Sequence, residues 1–400
     1  MTDHFSREQL AGYQPAVLER ATIFVVGAGA LAQNLLINLA LSGVGELRIV
    51  DFDEFENHNA PRSPLYPTAD EQSRWGMAKA RVVAHKVWML MKAARPKALY
   101  AIAPIQALGA GAFNGVDVVV SCVDNAEARA YLSDMCRWRG ITLIEGGFDG
   151  PSITLSCFPA TPVDQAREAP CYRCGNPTIE GSFSCQRHAT MAEAAGIIPA
   201  IQAAAATLGG LQAESAIQAL HGEHPTAFKR TSLNIRTGQL SQYELTTDPN
   251  CHGIHERVDA APRDLDITTA DSLDQLVRTI GASFEPNCTI KLPDRLIYDA
   301  FCHGCGRVVL VRAPDWAWRH SPICRTCGGA YERLDVRQDH TPTIIGALCA
   351  DHPDAIPSMS CREAGLPALS LIAAHSYDAE RRRTYRLAGQ LDDLFEAITP

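Results

Sequence analysis

A chain of 400 residues is longer than one hydrophobic core usually fills, and 46% apolar with 20% charged residues is ordinary for a globular protein of two or three domains. A net charge of −9 and a pI near 5.8 exclude non-specific nucleic-acid binding as the main activity. The apolar runs are interrupted by Asn, Ser, Gly or Gln before they reach membrane-spanning length, and "MTDHFSREQLAGYQPAVLER" has neither the basic start nor the apolar core of a signal peptide, so a cytoplasmic protein with no membrane partner is expected.

In chain order, residues 5–20 predict a short amphipathic helix. Ile23–Val26 is a continuous β-branched run, hence a buried strand, followed by the turn Gly27-Ala28-Gly29. Leu31–Leu41 has helical apolar spacing and stops at Gly43-Val44-Gly45; Glu46–Phe52 is the next strand. A polar loop (Glu56–Thr68), a helix over Met77–Met91 and a weak strand near Leu99–Pro104 come next. "VDVVVSCVD" (116–124) is a strong buried strand, Glu127–Arg139 a helix, and "ITLIEGGFDG" (141–150) a strand and turn. Strands alternating with helices predict an α/β fold, a Rossmann-like, mostly parallel sheet covered on both faces.

From Pro159 the texture changes to Pro- and Cys-containing loops. "AGIIPAIQAAAATLGGLQAESAIQALHG" (195–222) reads as a long Ala-rich helix and Leu233–Leu245 as a hairpin turning at Thr237-Gly238. An acidic stretch at 259–287 reads as a linker with a small amphipathic helix. Residues 288–400 then read as a zinc-ribbon and β-rich module, with "LPALSLIAA" strand-like and "YDAERRRTYRL" open between strand and helix.

The chemistry begins at Gly27 and Gly29, whose turn lets backbone N–H groups approach a phosphate at a helix N-terminus. Ala32 stands where a dinucleotide fingerprint has its third glycine, a position that only needs to be small. Asp51, ending the second strand, suits a ribose hydroxyl pair, with Asp53 two residues on. Asn59, Arg62, Lys79, Asp124, Asn125 and Arg129 follow in order. Two cations and an amide facing a phosphate site exceed what a merely held dinucleotide needs; they suit a triphosphate under attack, with Asp124 placed for Mg²⁺.

The ordered set of glycine turn, D-x-D, N-x-x-R, Lys and D-N resembles the ThiF/MoeB/E1 superfamily over about residues 1–258. That resemblance implies ATP-dependent adenylation of the C-terminal glycine of a ubiquitin-like protein. Gly27, Gly29, Asp51, Asp53, Asn59, Arg62, Lys79, Asp124 and Asn125 would hold ATP and Mg²⁺. "NAPR" stands where relatives often carry "NLQR", and "HFSREQL" resembles a segment whose arginine, here Arg7, reaches into the partner's site of a homodimer. His4 and Glu8 depart from that pattern.

Two cysteine groups have zinc spacing. Cys171 and Cys174 form half of a thiolate site whose other half is Cys251 with His255 or His252; His255 is favoured because His252 adjoins Cys251. "CHGC…CRTC", with an 18-residue spacer between Cys305 and Cys324, makes Cys302, Cys305, Cys324 and Cys327 a zinc ribbon. Trp316, Trp318 and Tyr331 read as its core. Cys185, in the segment 160–195 where E1-like enzymes carry a crossover loop, is the expected thioester nucleophile, with Arg187 and His188 beside it to favour a thiolate. Cys122, Cys136 and Cys157 read as packing residues; Cys349 and Cys361 are alternative nucleophiles.

The leading expectation is thus an E1-like enzyme that adenylates a ubiquitin-like protein, forms a Cys185 thioester and passes it to an E2-like protein, in a bacterial conjugation pathway of the antiphage type. A sulfur-carrier adenylyltransferase needing no E2 is the enzymatic alternative. A non-catalytic docking subunit is disfavoured by the intact Asp51, Asn59, Arg62, Lys79 and Asp124, and a NAD(P)-dependent oxidoreductase because it has no use for Lys79 or Asn59 and no catalytic acid–base pair stands in the expected place.

Overall fold

A computed structural model describes residues 5–176, 201–255, 261–284, 288–302, 304–320, 324, 326–328, 343–349, 358–378 and 381–398. The chain divides into two compact units. The first comprises Met1–Ile105, Phe113–Asp259 and Phe395–Pro400, the second Gln106–Ala112 and Ala260–Leu394. No helix among the described residues is long and apolar enough to cross a membrane.

The first unit opens with two short helices, α1 (Ser6–Leu10) and α2 (Pro15–Leu18), where one helix was expected over 5–20. Gly12, at φ +98°, and Pro15 at the first position of α2 break it. Next come β1 (Thr22–Val26), α3 (Ala30–Leu41), β2 (Glu46–Val50), α4 (Ala69–Trp75), α5 (Lys79–Leu90) and β3 (Lys97–Ala101). After α6 (Ile105–Leu108), of which all but Ile105 belongs to the second unit, the first unit continues with β4 (Val118–Ser121), α7 (Ala126–Arg139), β5 (Thr142–Asp149) and β6 (Ser152–Phe158). The long Ala-rich helix is α8 (Gln202–Leu220), and the hairpin is β7 (Lys229–Asn234) and β8 (Gln239–Glu244).

The sheet has nine strands, the ninth being β15 (Glu396–Ala397) from the end of the chain, in the order β15-β3-β2-β1-β4-β5-β6-β7-β8. Its centre, β3 to β5, is parallel; β15 at one edge and β6 to β8 at the other are antiparallel. Every residue of β1 is buried. Ile23 and Val25 join the core with Leu47, Ile49, Val118 and Val120, under the packed α3, α5 and α8. Phe24, between them, meets the rings of Phe113 and Phe395 edge-on. Both faces are therefore covered, as a parallel sheet requires.

The second unit is a six-stranded sheet with its own core. It contains β9 (Arg263–Asp264), α9 (Leu273–Ser283), β10 (Cys288–Cys302), β11 (Arg307–Pro314), α10 (Asp315–His320), β12 (Thr343–Cys349), β13 (Leu371–Ser376) and β14 (Arg382–Arg386). The stretch read as a linker belongs to this unit. Leu265, Ile267, Leu273, Leu276, Val277 and Ile280 are buried with β10 and β13 residues, so its acidic residues decorate an amphipathic segment and do not mark a free tether. "RRTYR" is a strand, with Thr384 and Tyr385 buried. Trp318 is buried in the ribbon's small core beside Cys302 and Cys324. Trp316 is half-buried, and Tyr331 lies outside the described residues.

Candidate nucleotide and metal sites

In the order β3-β2-β1-β4-β5 the connections reverse direction between β1 and β4, and the crevice at their carboxyl ends is where such sheets bind ligands. The Gly27 N–H donates to Val50 O at 2.8 Å and the Cys122 N–H to Val26 O at 2.8 Å, which brings the turn after β1, the end of β2 and the loop after β4 to one edge. Gly27 sits at φ +99°, and a Cβ there would lie 2.7 Å from the Cys122 carbonyl oxygen, so only glycine fits. Gly29 differs. It starts α3 without a side-chain cap, and nothing lies within 4 Å of where its Cβ would be. That open space above an uncapped helix N-terminus is one that could receive an anion. Ala32 is fully buried in the core, the close helix–strand contact its small size allows.

The Asp51 carboxylate accepts the N–H of Ala28 at 2.6 Å and of Asp53 at 2.8 Å. Burial holds its pKa above the ordinary carboxylate value, against the opposing pull of those two N–H donors and of Lys79. Asp53 pairs with Lys79, Nζ to Oδ2 at 2.9 Å, and accepts the Lys79 N–H on its carbonyl at 2.9 Å. Lys79 therefore enters the site as the first residue of α5, with its ammonium already held over Asp53. Asn59 is buried, and its Oδ1 accepts the Glu56 N–H at 2.9 Å, closing a capping box on the short 3-10 helix Asn57–Arg62. Arg62 is half-buried and donates to the His58 carbonyl at 2.7 Å. Asp124 is exposed on the loop after β4, and Asn125 caps α7 by accepting the Ala128 N–H at 2.7 Å. Arg7 is exposed on α1.

Arg129, which follows Asp124 and Asn125 one turn into α7, is buried, and its guanidinium is engaged by the Val123 carbonyl and by Glu145. Three contributors escaped the sequence reading. Gln33 is fully buried on α3, donating to Ala28 O at 3.0 Å and accepting Leu65 N–H at 2.9 Å, which fastens the glycine turn to the segment following Arg62. Phe52 and Ile102, 54% and 41% exposed, put apolar surface beyond the ends of β2 and β3. A buried glutamine inside a helical apolar pattern and a phenylalanine between two aspartates were the available signals.

Both metal-ligand groups assemble. The ligand atoms of Cys171, Cys174, Cys251 and His255 lie within 4.8 Å of one another, and so do those of Cys302, Cys305, Cys324 and Cys327. In the first, the Cys171 sulfur lies 3.7 Å from that of Cys174 and 3.6 Å from that of Cys251, and the Cys174 sulfur is 3.4 Å from His255 Nε2. Ligands about 2.3 Å from a tetrahedral zinc would stand about 3.7 Å apart, so the donor set fits zinc. His252 is exposed and outside the group. Asp134 on α7 joins both arms, accepting Arg173 Nε at 3.2 Å and the Ile254 N–H at 2.9 Å. In the ribbon, Cys302 and Cys327 sulfurs are 3.6 Å apart. Each knuckle ends in a glycine at positive φ, Gly306 and Gly328, whose N–H returns to the carbonyl of the first cysteine at 2.8 Å.

Cys185 lies outside the described residues. Among the alternatives, Cys361 is buried, which pushes its thiol up to about 12, and Cys349 is half-buried. Cys136 and Cys157 are buried packing residues, whereas Cys122 is only partly so, its thiol raised by burial.

A Rossmann-type glycine turn at the switch point, followed by a thiolate–imidazole cluster with metal-ligand spacing, is the arrangement of a nucleotide-binding protein with a metal-binding knuckle. The chain belongs to the ThiF family, whose pattern it matches over residues 9–253. It is 29% identical over 206 residues to the maize "Adenylyltransferase and sulfurtransferase MOCS3-1", covering 51% of this chain but 40% of that protein, so it spans about two fifths of that relative's length. It is 31% identical over 209 residues to the "SAMP-activating enzyme E1" of Haloferax volcanii, 50% of this chain and 67% of that one. It is 30% identical over 214 residues to the "Sulfur carrier protein adenylyltransferase" of Thermus thermophilus, 51% and 71%. A crystal structure of E. coli MccB with succinimide shares the fold at 16% identity and a TM-score of 0.50, over 63% of this chain and 74% of that one.

Proposed function

We propose that the protein uses ATP to adenylate the C-terminal carboxylate of a ubiquitin-like or sulfur-carrier protein. The observation that carries the reading is the cradle at Gly29, with Asp51 beside it, Lys79 at the start of α5 and Asp124 across the β1/β4 crevice. A carboxylate oxygen attacks the α-phosphorus, the bond to the bridging oxygen breaks, and acyl-AMP and pyrophosphate form. Asp51 takes the ribose, Phe52 and Ile102 offer apolar surface to the base, and the Gly29 turn receives phosphate. Asn59, Arg62 and Lys79 stabilise the charge that shifts to the leaving group, with Arg7 supplied by a second copy. Asp124 would hold Mg²⁺, which neutralises phosphate charge when bound. The names of the Haloferax and Thermus relatives support an acceptor of the ubiquitin-like or sulfur-carrier kind.

Two fates of the acyl adenylate remain. Transfer to sulfur without a carrier enzyme accords with the names of the maize relative, an adenylyltransferase and sulfurtransferase, and of the Thermus relative, a sulfur carrier protein adenylyltransferase. Transfer to Cys185 and then to an E2-like protein rests on the place of that cysteine between the first knuckle and α8. ATP–pyrophosphate exchange that requires a protein ending in glycine tests the common step. Lys79→Ala should lower it about 100-fold, and no exchange with any such protein overturns the reading. A thiol-labile adduct abolished by Cys185→Ala, with exchange retained, selects the second fate.

A further inference from the structure

We infer that Arg137 supplies the charge that balances the Cys171–Cys174–Cys251–His255 cluster when zinc fills it, on a face of α7 that holds the cluster's backbone ready for the ion. Three arginines are buried among the described residues: Arg48, Arg129 and Arg137. Arg48 pairs with Glu46 at 2.7 Å and Arg129 with Glu145 at 3.0 Å. Arg137 forms no ion pair with the described residues, and its acceptors are neutral. Nη1 donates to Thr161 Oγ1 at 3.1 Å and lies 3.5 Å from the Ala166 carbonyl, while Nη2 donates to the Pro170 carbonyl at 2.5 Å. A buried cation without a counter-charge is costly. The cavity beside it, which Ser133, Cys136 and Thr161 also line, has a volume of about 10 Å³, room for one water and too little for a phosphate-sized anion.

The metal cluster supplies the missing charge. Pro170 is joined to Cys171 by a peptide bond, so the guanidinium is anchored on the residue that precedes the first ligand. Zinc brings two positive charges, and three thiolates with a neutral imidazole bring three negative ones, so the filled cluster carries one negative charge. Arg137 matches it. Asp134, one turn earlier on α7, is already paired with Arg173 at 3.2 Å. The same helix fixes both halves of the site without the ion. Ser133 Oγ accepts the Tyr172 N–H at 3.0 Å, and Asp134 accepts the N–H of Ile254, the neighbour of His255, at 2.9 Å. The backbone is thus preset, and the charge becomes complete only when the metal binds. A neutral residue at 137 leaves the filled cluster with a buried charge and no partner.

Competition between the full chain and a colorimetric zinc chelator reads the affinity of each cluster. The first cluster is the one lost in His255→Ala, and the ribbon serves as internal reference. Arg137→Gln keeps a donor but no charge. It should weaken zinc at the first cluster about 10- to 100-fold and leave the ribbon within about twofold of the native chain. Arg137→Lys keeps the charge but loses the planar fork, and should hold zinc at the first cluster within about threefold of the native chain. An Arg137→Gln chain that binds zinc as tightly as the native one overturns the charge balance. So does an Arg137→Lys chain that loses as much affinity as Arg137→Gln, because hydrogen bonding or volume then accounts for the loss. An equal loss at both clusters overturns it as well. If Arg137→Gln does not fold, Arg137→Lys decides alone: zinc retained at the first cluster supports the balance, and zinc lost removes it. ATP enters none of these measurements, so their outcome is independent of the adenylation reading.

Discussion

Gly27 and Gly29 are two residues apart and are glycine for opposite reasons. Gly27→Ala forces a side chain into φ +99° and against the Cys122 carbonyl, and should destabilise the protein by about 2–4 kcal/mol in denaturant unfolding. Gly29 has an ordinary φ of −73° and free space around it. Gly29→Ala should therefore cost under about 1 kcal/mol of stability yet raise the KM for ATP about tenfold by filling the cradle. An alanine at 29 that leaves nucleotide binding untouched removes the cradle from the site. Asp51 separates stability from binding in another way. Burial raises its pKa, so folding favours the protonated form. Its stabilising contribution is complete below the ordinary carboxylate pKa and is lost as pH rises through the raised value. The ribose needs the ionised acceptor, so ATP affinity should fall as pH drops through the same window, while this group's share of stability grows. Titrating affinity and melting temperature together checks this; Asp51→Asn should flatten both slopes at that pH.

At the scale of elements, the two knuckles and the α3 bridge make separable predictions. Each cluster has four ligand-type residues, so His255→Ala should reduce bound zinc from two ions per chain to one, read by metal analysis of the purified protein; retention of both would remove His255 from the set. Gln33→Leu strands the Ala28 carbonyl and Leu65 N–H in a fully buried place, and should cost about 2–4 kcal/mol of stability. The elements that sequence disclosed were those with strong periodicity, namely β1, α3, β2, β4, α7 and the β7–β8 hairpin. The place of His255 in the first cluster was also legible, because adjacency to Cys251 disfavours His252. Less visible was α4, although Thr68 and Glu71 form its capping box; its seven residues bury none of their side chains, so it has no apolar stripe to read. β6 was absorbed into the turn before it, since Gly150 and Pro151 signal the bend but not the seven-residue return strand. The pairing of Arg129 was not legible, because its buried partner, Glu145, comes from the next strand and only tertiary structure joins them.

At the scale of the whole molecule, sequence located two metal-bearing regions but missed how the chain is shared between units. Gln106–Ala112 belongs to the second unit, and Phe395–Pro400 returns to the first, where β15 closes an edge of the sheet against β3. A two-residue strand whose partner lies 296 residues away leaves no periodic signal. Association of two copies is the remaining question at this scale, and Arg7 frames it. The segment bearing it is fastened to its own unit, by Tyr13 to Glu214 and by the Gln14 N–H to His221 at 2.9 Å, whereas Arg7 itself is exposed and forms no ion pair with the described residues. If Arg7 completes the partner's site, Arg7→Ala and Lys79→Ala chains should each be inactive alone but complement each other once mixed and allowed to exchange subunits. Half of the dimers formed at random are mixed, and each mixed dimer has one site with both groups intact, so about a quarter of the sites should recover. Were Arg7 to serve its own protomer, every chain in the mixture would carry a damaged site and no activity would return. A mixture that exchanges subunits but stays inactive thus assigns Arg7 to its own chain and removes the need for a dimer in the reaction.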